Sequence, residues 1–348
     1  MPRENKAVAT DDGMSDRYAL YDEDDAEVGG RGPLRGRKAA RHHARKQRMA
    51  DDMAELAGTT GLESGFNPSY KPSRWEAAWL LASLRPFYEQ DQIRDVEALV
   101  KGGKEASVYR CAAHPTTGER FLAAKVYRPR QFRNLRNDAV YREDRPILTA
   151  DGRPVKRSDH RIMRAVGKKT AFGTQVKHTS WLMYEYTTME RLHRAGAAVP
   201  RPVAVAENAI LMTYYGDQTL AAPTLIEVSL GRSEAAGLFG EVLRNIELML
   251  RRGLIHGDLS AYNILYWEGR IVLIDFPQIT NSFTNRHARE ILQRDIERVC
   301  EYFGRQGVRS DSRALLNELW TRHVREDAAS NIRDELVELV GDTEGLDM

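Results

Sequence analysis

"HGDLSAYNILYWEGRIVLIDFPQ", His256 to Gln278, places an Asp at 258, an Asn at 263 and a second Asp at 275. The stretch between Asn263 and Asp275 leaves room for one hairpin around "WEGR", whose apolar second strand, "RIVLID", delivers Asp275. Such spacing suits a site that holds a metal-bound triphosphate against a nucleophile. Asp258 would accept the proton of an attacking hydroxyl, or orient it. Asn263, through its side-chain oxygen, and Asp275 would share one divalent ion. Hard oxygen ligands suit Mg²⁺, which keeps waters and shares phosphate oxygens; Mn²⁺ is the alternative. Two unrelated turn residues and a strand-end Asp are the bland explanation of the same string.

Upstream, "KGGKEASVY" (Lys101 to Tyr109) sets a glycine pair between two strands, where backbone N–H groups can approach phosphate oxygens without an intervening Cβ. It lacks the G-x-x-x-x-G-K-[ST] spacing of a Walker loop, and a Gly-Gly hairpin explains it equally. In "AAKVY", Lys125 stands in an apolar strand 22 residues after Gly103. A lysine among Ala123, Ala124 and Val126 is costly to bury unless paired. In kinases a strand lysine binds the α- and β-phosphates and pairs with a helix glutamate. Glu185 is the candidate partner and Glu190 the fallback; a stem-buried lysine that snorkels to water is the alternative. "HGDLSAYN" matches the pattern H-R-D-L-x-x-x-N, with Gly257 in place of Arg. Two glycines, a strand lysine, a helix glutamate, D-x-x-x-x-N and a strand-end Asp come in the order that phosphoryl transfer requires.

The rest of the 348 residues frames these parts. Residues 1 to about 70 read as a flexible charged tail. "DEDDAE" (Asp22 to Glu27) precedes "RGPLRGRKAARHHARKQR" (Arg31 to Arg48), with few large apolar residues to offset ordering entropy. From Trp75, "SRWEAAWLLASLRPFYEQ" has apolar residues at helical spacing behind Ser73, a candidate N-cap. Strand, glycine turn, strand, turn and strand come next, through "GERFLAAKVYRP". Residues 130–177 hold thirteen Lys/Arg against five Asp/Glu and read as a long irregular basic insertion. A helix is expected from Ser180 to Gly196, then a strand in "AILMTYYGDQTL" that leaves into a glycine-containing hinge. From Pro223 on, helices dominate, such as Glu241 to Arg252 and His287 to Phe303. The net charge of +2 does not by itself imply a nucleic-acid binder. Two distant cysteines, Cys111 and Cys300, suggest no disulfide framework or zinc site and fit a reducing cytosol. No apolar run approaches a membrane span, and no apolar signal core opens the chain, so a cytoplasmic protein without membrane contact is expected.

Taken together, these motifs resemble the RIO-type atypical serine protein kinases, closest to the first class, which lacks a winged helix. "GKEASVY" resembles that family's phosphate loop, "HGDLSAYNILY" its catalytic loop, "LIDFPQ" its metal loop and "ILQRDIERVCEYF" (Ile291 to Phe303) its next helix. The resemblance covers roughly residues 85 to 305. It implies an α+β, two-lobed kinase-like fold, with a small β-rich N-lobe (71–212) and a helical C-lobe (213–348). A full activation segment would be missing, and no Ala-Pro-Glu follows Asp275. It implies ATP in the cleft, with Gly103, Lys104 and Ser107 at the phosphates and Met212, Thr213 and Tyr215 at the adenine. Lys125, Glu185 and Asp258 would serve catalysis, and Asn263 and Asp275 the metal. Self-phosphorylation is implied, and some relatives hydrolyse ATP through a phosphorylated metal-loop aspartate, which would be Asp275 here. The Ala/Arg-rich composition is compatible with a bacterial source.

Three functions compete at this level. One is transfer of phosphate from ATP to serine on a protein. A second is a small-molecule kinase of the aminoglycoside or choline type; those share H-G-D-x-x-x-x-N, but "DFPQITNSF" lacks their usual Gly-rich turn. The third is a nucleotide-switched assembly factor whose basic segments touch RNA or ribosome.

Overall fold

The computed structural model describes residues 66–103, 105–128, 145–156, 158–168 and 170–325. Residues 1–65 of the expected tail, Lys104, Pro129, residues 130–144, Arg157 and Lys169 of the expected insertion, and residues 326–348 of the expected C-lobe lie outside the described residues. Residues 66–70 depart from the tail reading. Phe66 is buried, and the Tyr70 N–H donates to Val96 O at 2.8 Å. Aromatic side chains have a core to join there, which outweighs the polar character of the stretch before them.

Helix α1 (Arg74–Glu89) begins after Ser73, whose backbone is extended and whose carbonyl accepts the Glu76 and Ala77 N–H groups. Its hydroxyl makes no capping bond. Strands β1 (Ile93–Gly102), β2 (Ala106–Ala113), β3 (Phe121–Tyr127), β4 (Pro202–Val205) and β5 (Ala209–Thr213) form one antiparallel sheet in the order β1-β2-β3-β5-β4. Alternation along β3 decides which face each of its side chains joins. Leu122, Ala124 and Val126 join Leu80, Leu84 and Phe87 of α1 in one core. Ala123 and Tyr127 join a second core with Trp181, Leu182 and Met189. Lys125 shares their parity and is carried to that second face. Full burial of each large apolar side chain contributes about 1.5–3 kcal/mol, so the sheet is anchored on both sides of the lysine.

The segment 130–177 is not irregular throughout. Helix α2 (His160–Gly167) and the first turns of α3 (Ala171–Arg194) lie within it. Two caps make them. Asp159 accepts the Ile162 N–H at 3.2 Å, and Thr170 Oγ1 accepts the Gly173 N–H at 3.1 Å. Gly173 also lets the helices touch, because a Cβ there would meet Ala165 O at 2.0 Å. Exposed Arg161, Arg164 and Lys168 mask the pattern, since only Val166 of α2 is buried. Helix α3 ends at Arg194, and Gly196, at φ +77°, turns the chain away just past it, as expected of that glycine.

The helical half contains α4 (Arg232–Leu250), the short pair β6 (Leu254–Ile255) and β9 (Thr280–Asn281), the hairpin β7 (Ile264–Trp267) and β8 (Arg270–Leu273), α5 (Ala288–Arg305) and α6 (Ser312–Trp320). The expected "WEGR" hairpin forms, with φ of +50° at Glu268 and +76° at Gly269, as a two-residue turn of the primed kind demands. Among the described residues no helix is long and apolar enough to cross a membrane.

Candidate active site

Lys125 is where the candidate residues of β3, α3 and the loop after β8 meet. Its ammonium contacts Glu185 Oε1 at 2.5 Å and Asp275 Oδ1 at 2.7 Å. Glu185, on α3, is 2% exposed and Lys125 9%. The second oxygen of Glu185 accepts the Tyr127 hydroxyl. Glu190 instead pairs with Arg194 at the surface, so the helix glutamate nearer the middle of α3 is the one that meets the lysine. Burial alone would lower the Lys125 ammonium, but the Asp275 and Glu185 carboxylates hold it well above the usual lysine value. Partial desolvation would raise Asp275, but the Lys125 charge beside it keeps its carboxyl below the usual carboxylate value. An ammonium has three donors, and two are taken here, which leaves one for an incoming phosphate oxygen.

Asp258 and Asn263 meet on the other side. The Asn263 side-chain nitrogen donates to Asp258 O at 2.9 Å and Asp258 Oδ2 at 3.1 Å. With that nitrogen engaged, the amide oxygen is the atom left for a hard cation. The Asp275 carboxylate touches Lys125, and it is the backbone that links the two pairs: Ile274 N–H donates to Asn263 O at 3.0 Å. Asp275 adopts φ of +73°, a left-handed conformation that costs an L-residue about 1–2 kcal/mol. That turn is what directs its carboxylate back to the lysine. One amide oxygen and the second oxygen of a half-exposed carboxylate fit Mg²⁺, which takes few protein ligands and retains water and phosphate oxygens. Among the described residues no group of three or more His, Cys, Asp or Glu forms a cage for a metal, so a softer or fully protein-ligated ion is a poorer match.

Gly257 explains the departure from the usual arginine. Its φ is +87°, and a Cβ there would lie 2.4 Å from Gln278 O. The loop bearing Asp258 and the loop after Asp275 therefore approach backbone to backbone, and only glycine fits. His256 beside it is buried and neutral: burial holds the imidazole below its usual pKa. Its Nε2 lies 3.2 Å from Ile274 O, and its Nδ1 accepts the Asp258 N–H at 3.3 Å.

At the phosphate loop, Gly103 permits a tight turn, since a Cβ would meet Ala106 O at 2.6 Å. Ser107 is buried on β2, opposite Gly102 and Val126 in register. Met212 and Thr213 end β5, opposite Ala123 and Leu122. The Thr213 N–H is already engaged by Arg201 O at 3.0 Å, and Tyr215 O accepts the Ala222 N–H at 3.0 Å. Gly216, at φ +131°, turns the chain so closely that a Cβ would lie 2.5 Å from Leu220 O, which makes the expected glycine hinge.

Sequence reasoning missed a second tier of residues. On α5, Asp295 accepts N–H bonds from Gly257 at 2.7 Å and Leu259 at 3.0 Å, and burial pushes its carboxyl up to about 7. Arg294 donates to Gly257 O at 2.7 Å, and Arg298 to Asp258 Oδ1 at 2.7 Å. Arg145 donates to the Pro277 and Ile279 carbonyls and stacks over Tyr184. One signal was available. Asp295 occupies a core position of α5, in step with Ile291, Leu292, Val299 and Tyr302, and an acid in an apolar stripe asks for a partner.

The sheet, the lysine–glutamate pair and the facing loops make up the α+β fold of the protein kinases, and α5 begins at Ala288 with no full activation segment before it. A family profile for the RIO domain matches residues 147–315. The chain is 32% identical over 240 residues to the RIO-type serine/threonine-protein kinase Rio1 of Haloferax volcanii, covering 67% of this chain and 73% of that one. It is 31% identical over 229 residues to the serine/threonine-protein kinase RIO1 of Chaetomium thermophilum, covering 62% of this chain and 40% of that one. For the human serine/threonine-protein kinase RIO1 the identity is 26% over 217 residues, with 62% and 34% covered. The chain belongs to the RIO-type serine/threonine-protein kinase family.

Proposed function

We propose that this chain is an ATP-dependent protein serine kinase of the RIO type, acting on itself as well as on another protein. The observation that carries the reading is Lys125, buried and held between Glu185 and Asp275 with one donor to spare. Asp258 takes the proton of a serine hydroxyl as that oxygen bonds to the γ-phosphorus, and the bond from phosphorus to the β–γ bridging oxygen breaks to release ADP. Lys125 holds the phosphates, and Gly103 and Ser107 line their approach; Lys104 is assigned to the phosphates by the sequence motif alone. Met212, Thr213 and Tyr215 receive the adenine at the end of β5, where it leads into the Gly216 hinge. Asn263 and Asp275 hold Mg²⁺, or Mn²⁺ in its place, which when bound neutralises phosphate charge. Catalysis here is positioning and charge stabilisation, so few side chains suffice.

A second reading is a nucleotide-switched factor that contacts RNA or ribosome, favoured by exposed Arg161 and Arg164 on α2 and Lys168 just after it. A cytoplasmic site fits both readings. Pure protein mixed with γ-labelled ATP and Mg²⁺ separates them. The kinase reading expects label on serine, absent in D258A while nucleotide affinity stays near wild type, because that group acts in the transition state. Phosphate release without a labelled protein favours the second reading. Label that appears only when an aminoglycoside or choline is added would replace both by a small-molecule kinase.

A further inference from the structure

Three residues of α5 grip three successive residues of the catalytic loop. Arg294 donates to the Gly257 carbonyl, and Asp295 accepts the Gly257 and Leu259 N–H groups. Arg298, one turn further on the same face as Arg294, reaches the Asp258 side chain at Oδ1, 2.7 Å away. Asn263 holds Oδ2 of the same carboxylate. The carboxylate is therefore fixed at both oxygens from separate elements. Each oxygen keeps a second lone pair that could accept a hydroxyl proton.

Side-chain exposure of the pair is 40% for Arg298 and 38% for Asp258, so water and an incoming substrate can reach it. A pair so exposed is worth little to stability. Its consequence must then lie in orientation and charge. Asp258 has to approach the hydroxyl while a polyanionic phosphate stands nearby. Lys125 offsets the charge of Asp275; Arg298 does the same for Asp258.

We propose that Arg298 is a positioning residue for phosphoryl transfer: it locks the Asp258 carboxylate in its working rotamer and offsets its charge against the nucleotide phosphates. The inference rests on the kinase reading. A helix residue, distant in sequence from the loop it serves, thereby becomes a determinant of turnover.

The test compares R298Q and R298K with wild type in steady-state phosphoryl transfer, fluorescent-nucleotide binding and thermal melting. Misplacing a reacting group by about 1 Å can cost on the order of a hundredfold, so R298Q should lose between about tenfold and a hundredfold in kcat. Its KM for ATP and nucleotide affinity should stay within about twofold of wild type, and its melting temperature should be unchanged, as for loss of an exposed pair. R298K should recover part of kcat, because it restores the charge but not the planar fork. Wild-type kcat in R298Q overturns the proposal, and so does a rise in kcat, which would make Arg298 a brake on Asp258. A loss of kcat that tracks a lowered melting temperature equally in both variants also overturns it. Should R298Q fail to fold, R298K against wild type decides alone. A wild-type chain that transfers no phosphate refutes the kinase reading instead, so the two failures are distinct.

Discussion

Replacing Lys125 with Met removes the cation that touches Glu185. Glu185 is 2% exposed, and among the described residues the substitution leaves it the Tyr127 hydroxyl as a donor. Removing one partner of a buried pair costs about 3–5 kcal/mol, because the other charge stays behind uncompensated. Asp275 adds little to this sum. Its side chain is 42% exposed and can turn to water, so its share is that of a surface pair, about 0–1 kcal/mol. K125M should therefore be destabilised by about 3–5 kcal/mol, nearly all of it arising at Glu185. A second change, E185Q, then removes the stranded charge, and K125M/E185Q should be about 2 kcal/mol or more stabler than the sum of the single effects. Urea unfolding tracked by tryptophan fluorescence reads this, since Trp181 packs edge-on against Tyr127 with ring centroids 4.6 Å apart. The midpoint should move at an unchanged slope. Effects that add within about 0.5 kcal/mol, or a K125M chain as stable as wild type, would refute the claim that lysine and glutamate form a buried electrostatic unit.

The same contacts set three other expectations. G257A forces a Cβ to within 2.4 Å of Gln278 O at a φ of +87°, so it should lower the unfolding midpoint and phosphoryl transfer together; normal turnover would show that the two loops need not approach so closely. Y127F removes the hydroxyl from buried Glu185 and should cost about 1–3 kcal/mol in urea unfolding while the fold is retained; an unaltered midpoint would argue against that bond. For Asp295 the folded pKa, about 7, lies above the unfolded carboxylate value, so its contribution is fully present below the unfolded pKa and is lost as pH rises through about 7. The stability of wild type relative to D295N should accordingly grow by about 2–3 kcal/mol from pH 8 to pH 5, since about two pH units of that window lie below the folded pKa. A gap that stays flat with pH would contradict a buried, protonatable Asp295.

Much of the site is legible in the sequence because phosphoryl transfer imposes local spacing. Asp258 and Asn263 are separated by one turn of loop, and Asp275 by a two-residue hairpin, so short-range rules place them. Lys125 stands out as a charge in an apolar strand, and strand parity sends it to the α3 face. Glu185 needs the fold to choose it over Glu190, because only the register of a 24-residue helix against the sheet decides which glutamate is buried. What the sequence hides depends on contacts between distant segments. Nothing near Gly257 announces that Gln278 presses on it. Nothing in "QRDIER" says that its arginines reach back to the catalytic loop. Helices α2 and early α3 are obscured because their basic residues face solvent, while the caps that start them, Asp159 and Thr170, sit in a run that looks like loop. Phe66 to Tyr70 read as tail because the preceding charges dominate the composition.

The most direct test of the central claim is a crystal of the protein with a non-hydrolysable ATP analogue and Mn²⁺, whose anomalous signal marks the metal. The predicted result is a peak coordinated by Asn263 Oδ1 and the Asp275 carboxylate, with Lys125 on a phosphate oxygen and Asp258 facing the γ-phosphate. Nucleotide bound away from Lys125, or a metal that touches neither Asn263 nor Asp275, would contradict it.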